Sequence, residues 1–224
     1  MATLLLRLQA PMQSWGISSR FSVRDTCREP TKSGVLGLIC AALGRSHEQS
    51  LDDLVSLKMG VRVDREGKLM KDYHIAQDVY KATGGTPKTA EPSNRYYLSD
   101  AVFLVGLEGE SALLRKIQNA IQNPTWFIYL GRKSFLPSHS VFLPDGYQEK
   151  GLLEALQEYP LLTSPSAERL RVFMEDQNGS IMRNDVPISF AERRFRSRNI
   201  HVLYIDHSGE MIEEFSHDTF ETES

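Results

Sequence analysis

The stretch Thr31 to Gly44, TKSGVLGLICAALG, decides the reading of this chain. It is too polar at its start for a strand and too apolar after Gly34 for a loop. Thr31 and Ser33 are candidate N-caps, and Gly44 is a stop for a short, strongly apolar helix. Gly34 and Gly37 would let such a helix pack closely on a sheet. The elements around it supply that sheet. Upstream, Thr3 to Leu8 is an apolar run without a helix cap and reads as a buried strand. Downstream, Met59 to Asp64 (MGVRVD) alternates like a half-buried strand, and Glu66-Gly67 turns the chain.

Farther on, Arg95 to Leu107 reads as one long strand. Ser111 to Gln122 has apolar residues at Leu113, Leu114, Ile117 and Ile121, a helical spacing ended by Pro124. Trp126 to Leu130 reads as a further strand. The order strand, helix, strand, strand, helix, strand is the split βαβ or ferredoxin-like pattern, shared with RNA-recognition motifs. The expected fold class is therefore α+β: a ferredoxin-like domain over residues 1–145, then a smaller, mainly β unit over 146–224. In that unit Leu152 to Tyr159 reads as a helix, and Leu170 to Glu175 and Asn199 to Asp206 as strands. Met70 to Ser99 is longer than a hairpin turn needs. Its glycine tip (Gly84-Gly85, then Pro87) and the tyrosines Tyr73, Tyr80, Tyr96 and Tyr97 on both sides predict a projecting β-hairpin.

The 224 residues carry a formal charge of −3, which on average argues against a polyanionic partner. The charge is not spread evenly. Ser208 to Ser224 holds six acids and no Lys or Arg, so the first 207 residues are net +3. Met1 to Ser46 is net +4, and Glu192 to Arg198 (ERRFRSR) puts four arginines beside one glutamate. Arginines interleaved with Trp15, Phe21 and Phe195 suit a single strand of nucleic acid, with phosphates to pair and bases to stack. Hydrophobic residues make up 41% of the chain, which excludes global disorder. No apolar run reaches the roughly 18–20 residues of a membrane span. The start, MATLLLRLQAPMQSWG, is broken at Arg7 and does not read as a secretory signal. Two cysteines, Cys27 and Cys40, cannot build a disulfide framework, and a reducing cytoplasm is expected.

Chemistry-bearing motifs are few. The six histidines form no metal-ligand spacing, TKSG lacks the glycines that open a phosphate-binding P-loop, and no cofactor is expected. Metal-independent RNA cleavage is the enzymatic alternative. His74 or His139 would be the base, and Lys32, Lys71 or Lys133 the cation beside the phosphorane. Binding signals are stronger. Free backbone N–H groups at Thr31-Lys32-Ser33-Gly34 can receive a phosphate, with Lys32 adding charge. In Tyr129-Leu130-Gly131-Arg132-Lys133, Gly131 allows close backbone approach, Arg132 and Lys133 pair phosphates and Tyr129 stacks a base.

LRLQAPMQSWG, REPTKSGVLGLICAALGR, KDYH and WFIYLGRKSFLPS, in that order, resemble the CasD family, the CRISPR-associated RAMP subunit of the type I-E Cascade complex. The resemblance covers roughly the first 145 residues. It implies a non-catalytic, cytoplasmic subunit that holds the 5′ handle of the CRISPR RNA in antiviral defence. It implies that Met70 to Ser99 is a thumb lying against the adjacent backbone (Cas-seven type) subunit, with the large Cascade subunit as a further neighbour. Gln13, Trp15, Thr31, Lys32, Ser33, Arg132 and Lys133 fall in matching blocks and become handle-binding candidates. Arg24, Arg28 and Arg95 join them on charge and position.

Overall fold

The apolar run at the N-terminus forms the first strand, β1 (Ala2–Gln9), and both of its faces are covered. This is why it reads as continuous apolar sequence rather than as an alternation. Leu4, Leu6 and Leu8 enter one core cluster, and Leu5 enters a second one on the opposite face. The computed structural model describes residues 1–17, 22–80, 84, 88–164 and 168–212. The acidic residues from Glu213 onward, Arg20 and Phe21, and Gly85 and Pro87 of the hairpin tip lie outside the described residues.

After β1 come two short strands, β2 (Met12–Gln13) and β3 (Val23–Arg24), then helix α1 (Lys32–Leu43) and the single turn α2 (Asp52–Val55). Thr31 caps α1 by accepting from the Gly34 N–H, and Gly44 ends it in the left-handed region at φ 69°. Next are β4 (Lys58–Arg65), the long pair β5 (Lys68–Val79) and β6 (Lys88–Ser99), β7 (Val102–Gly109) and α3 (Ser111–Gln122). The chain continues with β8 (Phe142–Gln148), α4 (Leu152–Glu158), β9 (Leu170–Glu175), β10 (Ile181–Ser189), β11 (Arg194–Ile205) and β12 (Met211–Ile212).

Among the described residues these strands make two sheets. The larger runs β10-β11-β9-β4-β7-β1-β8, with β12 on β11. The smaller joins β5 to β6, whose other edge takes β2 and β3. Helices α1 and α3 cover one face of the large sheet, and α4 covers the other. Close approach of α4 needs the glycine pair Gly60↔Gly106 on β4 and β7. A Cβ on Gly106 would stand 2.6 Å from Leu152 Cδ1, and one on Gly60 would stand 2.8 Å from Leu156 Cδ1. The end of α4 is tied to the same sheet by Arg62. This fully buried guanidinium pairs with Asp64 and donates to the carbonyls of Leu156, Tyr159 and Pro160.

Several expectations shift. Trp126 to Leu130 is not a strand. Thr125 and Trp126 instead donate to the carbonyls of Ala42 and Ala41 at the end of α1, leaving Trp126 and Phe127 exposed. The outer edge of β1 is taken by β8. The single strand read over Arg95 to Leu107 is two strands in different sheets, broken at Asp100, which has φ 59° and donates to the Pro11 carbonyl. The expected boundary at 145/146 falls inside β8, and β9 continues the large sheet by pairing with β4. Strand β10, polar and interrupted by Pro187, carries no run that marks it in the sequence. The hairpin arms are twelve residues each, Lys68↔Ser99 to Val79↔Lys88, and β5 is exposed along its whole length.

Candidate functional site

A cleft lies where residues 14–16 and 24–25 meet the start of α1 and the Gly131-Arg132 turn. Its walls include Ser14, Arg24, Ser33, Gly131, Arg132 and Phe195, around a volume of about 300 Å³. One wall is fixed by backbone. The Ser14 N–H donates to the Leu130 carbonyl, and Gly131 adopts φ 98°. A Cβ at Gly131 would fall 2.0 Å from the Ser14 carbonyl oxygen, so only glycine lets the two segments meet.

Arg24 and Arg132 put positive charge on the cleft wall, and register adds Arg95 next to Arg24. Strand β3 pairs parallel with β6, and this pairing sets Arg24 directly opposite Arg95. Like charges directly opposite in a sheet repel. Arg132 adds a third guanidinium. It donates to the Tyr96 carbonyl at 2.7 Å and lies over the Phe135 ring at 5.1 Å. Burial holds its pKa below the usual guanidinium value, and the charges of Arg95 and Arg24 push the same way, with Asp72 opposing. Asp25 also lines the cleft. An anion between Arg24 and Arg132 relieves this repulsion, and guanidiniums in such a group are suited to phosphate oxygens.

The other sequence candidates divide sharply. Lys32 does not face a ligand. Its side chain is 1% exposed and its ammonium pairs with Glu175 at 2.8 Å. Burial lowers its pKa below the ordinary lysine value, with Glu175 opposing. Nor is the N-terminus of α1 open to a phosphate. The Lys32 N–H donates to the Asp185 carboxylate at 2.7 Å, and Arg198 holds that carboxylate at 2.7 and 3.0 Å. A carboxylate from β10 thus takes the place where an anion was expected. Gln13 is buried and donates to the Ala101 carbonyl at 2.7 Å. Trp15 and Thr31 border the cleft, but the Trp15 ring is buried against Gly34 and Thr31 serves as the helix cap. Ser33 stays half-buried on the cleft wall. Arg28 and Lys133 are exposed but outside the cleft lining.

Tyr129 lines a second pocket of about 270 Å³ that adjoins the cleft and shares Ser33, Gly34, Gly131 and Phe190 with it. Sequence reasoning passed over Phe190 because no basic residue stands directly beside it, whereas the arginines around Phe195 had drawn attention to that ring. Neither His74 nor His139 lines the cleft; His74 pairs with Asp72, and His139 contacts Ser138 at 3.2 Å. Burial pushes the Cys27 and Cys40 thiols up to about 11, so neither is a nucleophile at neutral pH. Among the described residues no group of His, Cys, Asp and Glu could hold a metal ion, and no helix is long and apolar enough to cross a membrane.

Comparison with known proteins gives this geometry a family. A family model described as CRISPR-associated protein (Cas_Cas5) matches residues 3–202. The CRISPR system Cascade subunit CasD of Escherichia coli (strain K12) is 35% identical over 157 residues, 62% of this chain and 69% of that protein. A crystal structure of a Cas protein superposes with a TM-score of 0.77 at 45% identity, covering 92% of this chain and 96% of the other. A chain of a CRISPR RNA-guided surveillance complex superposes with a TM-score of 0.77 at 34% identity, covering 91% and 90%. This chain belongs to the Cas5 family of CRISPR-associated proteins.

Proposed function

We propose that this chain is the non-catalytic RNA-binding subunit of a type I CRISPR surveillance complex, and that the cleft lined by Arg24 and Arg132, with Arg95 opposite Arg24, grips the 5′ handle of the CRISPR RNA. The observation that carries the reading is the register Arg24↔Arg95 with Arg132 beside it. A sheet does not gain stability from two guanidiniums set opposite each other, but it gains a place for phosphates. The likeness to CasD and to a chain of an RNA-guided surveillance complex supports the same role. The cleft lining offers the Arg24 and Arg132 guanidiniums and the Ser14, Thr31 and Ser33 hydroxyls, groups that suit holding phosphate oxygens.

The strand order β4-β7-β1-β8, with α1 and α3 on one face, supports a ferredoxin-like first unit whose sheet the C-terminal strands extend. The β5–β6 hairpin is the thumb of this reading. Leu69, Tyr73 and Ile75 alternate along an exposed strand, an apolar row suited to the neighbouring backbone subunit. The large subunit would border the cleft, and the assembly would work in the cytoplasm.

The test is a salt titration of handle-containing guide RNA binding to the purified chain. Arg95→Ala with Arg132→Ala is expected to weaken binding by roughly 100-fold at 100 mM salt and to lower the log–log salt slope by about 1.4, two single-strand phosphate contacts. An unchanged slope would reject the cleft as the phosphate site. Labelled repeat RNA incubated with the chain in EDTA should stay intact; specific cleavage would reject the non-catalytic reading.

A further inference from the structure

Gly37 sits in the middle of α1, where glycine costs stability relative to alanine. Nothing in the chain explains it. A Cβ there would meet only Phe190 Cζ, at 3.7 Å, an ordinary contact, and Gly37 has no positive φ that would demand glycine. Its missing side chain does not bring the helix onto the sheet. It opens the second pocket, whose walls include His47, Trp126, Tyr129 and Phe190. Trp126 is 49% exposed, and the His47 and Phe190 rings lie 6.2 Å apart and tilted.

We propose that this pocket receives one unstacked nucleobase of the bound strand, and that Gly37 is the position that keeps it open. The inference rests on the RNA-binding reading above and adds to it where a base goes. Three observations choose a base over a protein side chain. The pocket is continuous with the arginine cleft through Ser33, Gly34, Gly131 and Phe190, so a phosphate held by Arg24 or Arg132 delivers its own base into it. Four of its lining side chains, His47, Trp126, Tyr129 and Phe190, carry planar rings, and such rings can stack a base of any sequence. Its volume of about 270 Å³ is below the roughly 300–1,000 Å³ of pockets for drug-sized ligands and suits a single base. Seating a base there forms no covalent bond and moves no proton.

The experiment uses the full chain and an octauridylate carrying 2-aminopurine at one internal position, scanned along the strand. At one position of the scan, binding to the unmodified protein is expected to quench the fluorophore by stacking. An abasic residue at that position should weaken binding roughly 5- to 100-fold. Gly37→Leu fills the pocket from the helix without touching the arginines. It should abolish the quench and remove the difference between base and abasic strands, with the salt slope unchanged. Arg132→Ala should lower the slope and keep the quench. Trp126→Ala, at an exposed position, should weaken the quench without lowering the melting temperature, and it serves if Gly37→Leu folds poorly.

Equal binding and quenching by Gly37→Leu would overturn the inference and leave the RNA reading standing. So would a Gly37→Leu chain that binds RNA normally and fails only to join its protein neighbours, since the pocket would then hold a protein side chain. No binding of any strand by the unmodified chain at low salt would overturn both.

Discussion

Two clusters of basic residues lie near the start of α1, and they are built on opposite plans. In the first, Lys32 and Arg198 are buried and each meets a carboxylate, Glu175 or Asp185. Glu175 also accepts from the Met59 N–H, and Asp185 from the Lys32 N–H. A second tie of the same kind joins Arg183 of β10 to Glu29, in the segment leading to the helix. In the other cluster three guanidiniums, Arg24, Arg95 and Arg132, stand near two carboxylates, Asp25 and Asp72, and positive charge is left over. Charge removed from water must be matched, or it destabilises the fold. Charge left unbalanced at a cleft raises the local potential and draws an anion. The contrast separates basic residues that hold the protein together from those that face a ligand.

The largest effect that can break this comparison is Asp185→Ala. It leaves Arg198 without its main partner and removes the acceptor at the helix start. A loss of about 3–5 kcal/mol is expected by denaturant unfolding. A loss below about 1 kcal/mol would mean the network is not what holds β10 to α1. A smaller effect is expected for Lys32→Met. Glu175 keeps Arg198 and the Met59 N–H and is 24% exposed, so stability should change by about 1 kcal/mol or less. Guide-RNA affinity and salt slope should not change. A slope lower by about 0.7 would return Lys32 to the phosphate-binding set.

The smallest effect is on thiol chemistry. With Cys27 raised to about 11 by burial, alkylation at pH 8 should run roughly 100-fold slower than for an ordinary thiol. Glu29→Gln breaks the tie to Arg183 and should speed labelling of Cys27 more than of Cys40. Equal rates in the variant and the unmodified chain would show that Glu29 does not fix this segment.

Much of the fold was legible because local patterns and burial agreed. The α1 cap and stop, the periodicity of α3 and the apolar runs of β1 and β9 each carry their own signal. The errors fall where tertiary partners override local pattern. Trp126 to Leu130 is an apolar run like a buried strand, but Trp126 donates to Ala41 at the end of α1, Leu130 pairs with Ser14 and Phe135, and β8 already holds the edge of β1. Arg95 to Leu107 has strand-forming residues on both sides of Ser99-Asp100-Ala101, and the crossing from one sheet to the other places the break at Asp100, a residue type that tolerates positive φ. At the site, Arg24, Arg132, Ser33, Gly131 and Tyr129 line one of the two adjoining pockets, and Arg95 faces Arg24 across the register. Trp15 and Thr31 also border the cleft but are buried, one ring against Gly34 and one hydroxyl as the helix cap, whereas Gln13 and Lys32 stay out of it and bond to Ala101 and Glu175.

By itself, the sequence determined that the chain is α+β, that positive charge gathers in its first 46 residues and in Glu192 to Arg198, and that a long hairpin is inserted between two strands. These properties depend on residues near one another in the chain: periodicity, caps, turns and local charge. Only the tertiary structure decided which cations are spent internally, because Glu175 and Asp185 lie 143 and 153 residues from Lys32 along the chain. The same holds for the pocket beside Gly37, whose walls meet only when α1, the loop after α3 and the segment after β10 are packed together.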